Sequence, residues 1–219
     1  MRRHAILIGT SSLSDYRQKS LSDVYLFLKS KSGGFWRENE ILIMPNGLDL
    51  FVLNYALKNI SLEKSDFLFM YFCGNASDTL NSSGFTVGKT HVKFNNIENI
   101  CESEVIIFDS CEKLIGYEEF YGDESARDSS SENKFIIQNG TLFFSPCKNG
   151  GKAILKDDGE GLYTQEFIKS ILFADGTVDF CMADKSALFS CSVYKEEKIL
   201  ENRQEAFDER LLYTSSHGS

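Results

Sequence analysis

The chain has 219 residues, with 23 Lys and Arg against 32 Asp and Glu, so its formal net charge is −9 before histidine is counted. A hydrophobic content of 42% that includes 18 Phe can fill a sizeable core, which excludes a disordered chain. The acidic balance argues against nucleic-acid binding, which needs a basic face. No run of about 18 apolar residues occurs, so we expect no membrane span.

Five short apolar runs without polar alternation follow one another along the chain, at residues 5–9, 41–44, 67–72, 105–108 and 141–144. Such runs are typical of strands that are buried on both faces. Apolar residues at helical spacing predict helices at residues 21–28, 50–60 and 162–172. The pattern between residues 80 and 94 predicts a small hairpin. The order of elements indicates an α/β fold with a mostly parallel sheet and helices on both faces.

The domain organisation follows from composition. We see no convincing internal boundary and expect a single domain over residues 1–214. Residues 116–134 are polar and acidic without periodicity, which predicts a mobile loop. Residues 215–219 have the composition of a cloning remnant.

Cysteine usage and glycine patterns bear on the compartment and on cofactors. The six cysteines are spaced singly without a CxxC pair, as in reduced cytoplasmic proteins; they are at positions 73, 101, 111, 147, 181 and 191. The glycine pairs at 33–34 and 150–151 lack the context of a phosphate-binding loop. The acidic stretch 157–160 lacks the ligand spacing of a calcium loop. We therefore expect a cytoplasmic protein without a cofactor or a metal.

The candidate ligand site lies where the predicted strands end. Parallel α/β sheets bind ligands beyond the carboxyl ends of their strands. This rule selects Gly9–Ser11, Cys73–Asn75 and Asp109–Cys111. Cys111 follows a buried strand and could act as a nucleophile if a neighbour lowered its pKa. The alternative is an inert core cysteine, since free Cys is among the most buried residue types.

Several motifs carry a resemblance. The segment Val105–Cys111 ends in Asp-Ser-Cys, and Tyr71–Ala76 reads Tyr-Phe-Cys-Gly-Asn-Ala. Leu21–Asp23 and Gly159–Thr164 each precede or begin a predicted helix. In this order the motifs resemble those of caspase/metacaspase-type cysteine peptidases, in a bacterial-type member. The similarity extends over about residues 4–207 and implies a three-layer caspase-like fold.

The resemblance implies a role for three side chains. Cys111 matches the nucleophile of the family. Asp23 and Asp109 match acidic residues that line the S1 pocket of metacaspase-like members, which implies a preference for Arg or Lys at P1. A carboxylate pair can bind a guanidinium bidentately, in agreement with this expectation. The alternative for Asp109 is a carboxylate satisfied by backbone N–H groups near Gly9 or Gly74.

The chain departs from the family at the centre of the mechanism. Asn75 stands where the family has its general-base histidine, and an amide neither takes nor gives a proton near neutral pH. Cys73 and Ala76 differ from the family pattern too, which favours natural loss of the site over an engineered exchange, although the sequence leaves both open. His91, in the predicted hairpin, is the alternative source of a base.

Three functional hypotheses follow. The first is an inactive or strongly impaired caspase-like domain that binds a peptide or protein partner around Cys111. The second is an active cysteine endopeptidase that cleaves after Arg or Lys, with its base supplied elsewhere or with Asn75 engineered. The third is a structural subunit that pairs with an active homologue, since caspase-type sheets can dimerise.

Overall fold

The structure is a computed structural model of the chain. It describes residues 1–9, 15–44, 49–74, 84–87, 90–93, 96–110, 134–135, 140–144, 161–172 and 177–194. Residues 215–219 and nearly all of the acidic segment 116–134 lie outside the described residues.

A five-stranded parallel sheet forms the centre of the fold. Its strands pair in the order β2-β1-β3-β6-β8. Their bounds are Arg3–Gly9 for β1, Ile41–Met44 for β2, Phe67–Gly74 for β3, Ser103–Ser110 for β6 and Gly140–Phe144 for β8. Every neighbouring pair in this sheet is parallel. The five predicted strands and their parallel arrangement are thereby confirmed.

Short strand pairs accompany the central sheet. The predicted hairpin is present as β4 (Gly84–Val87) and β5 (Thr90–Lys93), which pair antiparallel. The two-residue strands β7 (Lys134–Phe135) and β9 (Thr177–Val178) form a parallel pair that the sequence pattern did not predict. Strands of two residues are too short to produce a hydrophobic period.

Helices cover both faces of the sheet. Their bounds are Asp15–Lys29 for α1, Leu50–Leu62 for α2, Leu162–Leu172 for α3 and 180–194 for α4. Apolar residues of α1, α3 and α4 pack with Phe67, Phe69 and Tyr71 of β3. Those of α2 pack with Leu68 and Met70 of the same strand. Because alternate residues of a strand point to opposite faces, this partition confirms a three-layer α/β fold.

Helix α4 was missed from the sequence. Its buried residues Phe180, Ala183, Ala187 and Cys191 are spaced at intervals of three and four residues, as one face of a helix requires. Two of the four are alanines, so the hydrophobic signal was weak although the period was correct. None of the helices in the described part of the chain is long and apolar enough to cross a membrane.

Candidate functional site

The register between β3 and β6 positions the candidate site. Cys73 pairs with Asp109, and Gly74 pairs with Ser110. Gly74 and Ser110 are the last residues of their strands, at the carboxyl edge of the sheet. Neighbouring strands are about 4.8 Å apart. Asn75 and Cys111, which are the next residues in the sequence, lie outside the described residues.

Asp109 is buried directly before this edge. Its residue is 4% exposed, and its Oδ2 accepts a hydrogen bond from the hydroxyl of Thr164 in the first turn of α3. The Tyr71 hydroxyl on β3 lies 3.2 Å from the same oxygen and 2.8 Å from the Thr164 hydroxyl. Asp109 is thus satisfied internally, with side-chain hydroxyls among its donors.

The hydrogens of this cluster can be counted. Two hydroxyl groups carry one hydrogen each, while three oxygens lie within hydrogen-bonding distance of one another. Thr164 donates to Asp109, and Tyr71 donates to Thr164 or to Asp109. In either arrangement Oδ2 of Asp109 acts as an acceptor. Burial, followed by the nearby charges of Cys73 and Asp109, raises the pKa of Tyr71 well above its usual value, so its hydroxyl keeps its proton.

The first turn of α3 holds a second buried carboxylate. The hydroxyl of Tyr163 donates to Oδ1 of Asp184 on α4, at 2.5 Å. Burial, and then the charge of Asp184, raises the pKa of Tyr163 well above its usual value. Adjacent residues of one turn, Tyr163 and Thr164, therefore tie α3 to α4 and to the end of β6.

Two thiols away from the sheet edge, those of Cys101 and Cys191, have raised pKa values. Burial raises the pKa of Cys191 on α4 to about 12, and the negative charges of Asp109, Glu166 and Asp184 act in the same direction. Burial also raises the pKa of Cys101 to about 12, with a further contribution from Glu104. Both thiols are protonated at neutral pH, so neither has the thiolate that nucleophilic attack requires.

Asp23 lies on α1, where it is half-buried. Burial raises its pKa, and the positive charge of Lys19, one helical turn earlier, opposes that effect. The electrostatic influence of Asp109 is instead seen at Tyr71, Tyr163 and Cys191. The described interactions of Asp23 and of Asp109 thus involve different residues. The prediction that the two carboxylates line one S1 pocket stays a prediction.

A small cavity of about 10 Å³ lies beside the hydroxyl cluster, between α1 and α3. Tyr71 and Thr164 contribute to its lining together with apolar side chains such as Val24 and Phe167. A cavity of this volume holds about one water molecule. Because this cavity is too small to accept a peptide side chain, it is a packing void and not the ligand crevice expected at the strand ends.

His91, the alternative source of a catalytic base, lies on β5 opposite Thr86 of β4. Within the described ranges, no group of three or more His, Cys, Asp and Glu residues has an arrangement that could hold a metal ion.

Sequence reasoning missed the polar side chains that surround Asp109. Tyr71 and Thr164 both belong to the stretches that carry the family resemblance, but they were not assigned a role. A polar group inside an otherwise apolar strand, as Tyr71 is, signals a buried partner. Asp184 was missed together with its helix.

Comparison with known proteins gives the class of fold. No protein-family model matches the sequence, and no curated protein sequence matches it. Among solved structures, the chain is similar to the crystal structure of caspase-1 from Spodoptera frugiperda, with a TM-score of 0.57 and 14% sequence identity. The alignment covers 85% of this chain and 75% of that one. The chain therefore has a caspase-like fold. At this identity the likeness concerns the fold alone.

Proposed function

We propose that the chain is a caspase-like domain that binds a peptide or protein at the crevice around Cys111 and is inactive or strongly impaired as a peptidase. One observation carries the proposal. Gly74 and Ser110 are register partners at the carboxyl edge of the sheet, and Asn75 and Cys111 follow them directly in the sequence. The residue that follows Gly74 in the sequence is thus an amide and not a histidine.

The chemical consequence concerns the thiolate. A cysteine nucleophile reacts as its thiolate, which a neighbouring base normally generates. Asn75 can donate and accept hydrogen bonds, but it cannot take the proton of Cys111. General acid–base assistance is worth about 10²–10⁴-fold in rate, so its loss leaves a site that still binds and rarely cleaves.

A second candidate is an active endopeptidase that cleaves after Arg or Lys. The observation that favours it is the position of Asp109, a carboxylate two residues before Cys111. This candidate needs a base from another position, and His91 is the histidine that the hairpin supplies. A third candidate is a subunit that pairs with an active homologue.

The test is a turnover assay with fluorogenic peptides that carry Arg, Lys or Asp at P1. We expect the unaltered chain to be silent and Asn75→His to gain cleavage that a second change, Cys111→Ala, abolishes. Asn54→His on the exposed side of α2 is the matched control and should gain nothing. Cleavage of basic peptides by the unaltered chain that is lost in Cys111→Ala would overturn the proposal and establish the second candidate.

A further inference from the structure

We propose that the outer face of α2 binds the same face of a second copy of this chain, with the two helices antiparallel. This outer face is formed by Phe51, Tyr55, Lys58 and Leu62. Helix α2 covers the sheet face opposite to the one that α1, α3 and α4 cover. The proposal is therefore independent of the proposed peptide-binding function.

Large apolar side chains are exposed along one side of α2. Phe51 is 79% exposed, Tyr55 63% and Leu62 70%. At 3.6 residues per turn, these three and Lys58 lie within about 60° of one another around the helix axis. The buried residues of α2 lie on the opposite side and are Leu53, Leu57 and Ile60. Single exposed apolar side chains are ordinary on a protein surface, whereas several in one stripe indicate an interaction site.

The spacing of the outer face is that of a coiled-coil interface. Its four residues follow one another at intervals of four, three and four positions, the spacing at which one helix packs along another. In an antiparallel pair the first position of one helix meets the last position of the other. Phe51 would therefore pack against Leu62 of the second copy, and Tyr55 would pack against Lys58. Two-fold symmetry would form each of these contacts twice.

Charges at the two ends of α2 favour a second copy as the occupant and an antiparallel orientation. Asp49 is the N-cap and Lys64 follows the C-cap residue; both are exposed, and they lie at equal distances from the middle of the stripe. An antiparallel pair brings Asp49 of each copy to Lys64 of the other, whereas a parallel pair would place like charges together. In the middle, the ammonium of Lys58 can lie over the Tyr55 ring of the second copy in a cation–π contact. The outer face is thus complementary to itself in one orientation.

The expected dimer is weak because the helix is short. With 13 residues, α2 is about 20 Å long, so the contact is at the small end of the range of protein interfaces. We expect a dissociation constant of about 10–100 µM. By mass action, such a dimer forms where copies are concentrated and separates where they are dilute.

The experiment measures the mass of the full chain by sedimentation equilibrium between about 5 and 500 µM, a range that brackets the expected dissociation constant. We expect the weight-average mass to rise from the 24.8 kDa of the monomer towards twice that value. Phe51→Glu and Leu62→Glu should each weaken association by at least about tenfold, since each buries two unpaired charges in the symmetric contact. Phe189→Glu on α4 is the matched control, because Phe189 is 69% exposed as well, and it should leave association unchanged.

A second set of variants tests the antiparallel orientation. Lys64→Glu should weaken association by about threefold, since the new carboxylate would face Asp49 of the second copy. Adding Asp49→Asn should restore part of the loss, because asparagine still caps the helix and the repulsion is gone. Lys31→Glu, at an exposed lysine after α1, is the matched control and should have no effect. A loss in Lys64→Glu that Asp49→Asn does not reduce would overturn the antiparallel pairing.

The remaining outcomes also decide the proposal. A chain that stays monomeric throughout the concentration range would overturn it, whether the outer face is bare or is covered by another segment of the same chain. A dimer that Phe51→Glu and Leu62→Glu leave intact would overturn it too. Circular dichroism verifies that the variants are folded. Should either variant fail to fold, Tyr55→Glu takes its place with the same expected loss.

Discussion

Glu104 and Asp109 are buried carboxylates five residues apart on β6, and each accepts a hydrogen bond from a threonine hydroxyl, Thr141 for Glu104 and Thr164 for Asp109. Their odd spacing places them on opposite faces of the sheet. Glu104 lies near the start of the strand, and Asp109 lies near its end. The strand that leads to Cys111 is therefore fixed by a carboxylate near each end.

Glu104→Gln should destabilise the protein by about 3 kcal/mol, because the carboxylate accepts hydrogen bonds from three backbone N–H groups as well as Thr141. A glutamine would turn an amide nitrogen, itself a donor, towards one set of these donors. Urea denaturation gives the free energy of unfolding. Glu102→Gln on the exposed neighbour should change it by less than about 0.5 kcal/mol. Equal effects of the two changes would contradict the assigned role of Glu104.

Tyr163→Phe should cost about 2 kcal/mol, since it removes a donor from the buried carboxylate of Asp184 while keeping the ring. The matched control is Tyr55→Phe on α2, where the tyrosine is 63% exposed, and it should be nearly neutral. Thermal or urea unfolding provides the comparison. Should the two variants prove equally stable, the hydrogen bond from Tyr163 to Asp184 would contribute nothing to the free energy of unfolding.

Cys101 and Cys191 should resist alkylation in the native protein. Their pKa values of about 12 lie three units above the usual 9.0, so their thiolate fraction at pH 8 is lower by about a thousandfold. Iodoacetamide labelling followed by peptide mass spectrometry measures each rate. The rates should rise about tenfold for each pH unit and should become ordinary in urea. Rapid native labelling at pH 8 would show that burial does not suppress these thiols.

Alkaline pH should weaken the fold. The native state holds the protons of Cys101 and Cys191 up to a pKa of about 12, whereas unfolded thiols release theirs near 9.0. Between these values the native state binds more protons than the unfolded state, so the free energy of unfolding falls as the pH rises. This stabilisation is fully present below pH 9. Urea midpoints measured at pH 7.5, 9 and 10.5 should decline, and Cys191→Ala should make the decline shallower.

Arg3→Lys should destabilise the start of β1 by about 1 kcal/mol. The guanidinium of Arg3 stacks 4.5 Å from the Trp36 ring centroid and donates to Glu40 at 3.3 Å and to the Gly34 carbonyl at 2.9 Å. An ammonium cannot stack and bridge in this way. Because Trp36 is the single tryptophan of the chain, its fluorescence reports the change directly. The exposed Arg37→Lys should leave both emission and stability unaltered.

Much of the fold was predictable because the central strands are buried on both faces. Ile6, Leu7 and Ile8 are each 0% exposed. In an α/β chain such a continuous apolar run indicates a strand of a parallel sheet that is covered on both faces. Helix α3 was predicted with its observed bounds for a similar reason, since large apolar residues recur along one side of it. Helix α4 buries two alanines among the four residues of its inner face, and its burial depends on neighbours that no local pattern reveals.

The position of Asp109 in the sheet was predictable, whereas its role in a ligand site stays a prediction. The rule that ligands bind at the carboxyl ends of parallel strands selected Asp109, and the structure puts that residue at this edge. What the sequence could not give is the partnership of Tyr71, Asp109 and Thr164, which are 38 and 55 residues apart. Contacts over such separations depend on the sheet register and on the packing of α3 against the sheet. Neither of these produces a recognisable pattern in the local sequence.

The register of Gly74 with Ser110 has a consequence for how such a scaffold can evolve. The two segments that follow these residues begin at neighbouring strands of the sheet. Most of the described buried residues that stabilise the sheet lie within the strands and the helices that cover them. Either segment can change its length or sequence while its point of departure stays in place. Under the proposed function, one exchange at position 75 would change reactivity without a compensating change in the residues that make the chain fold.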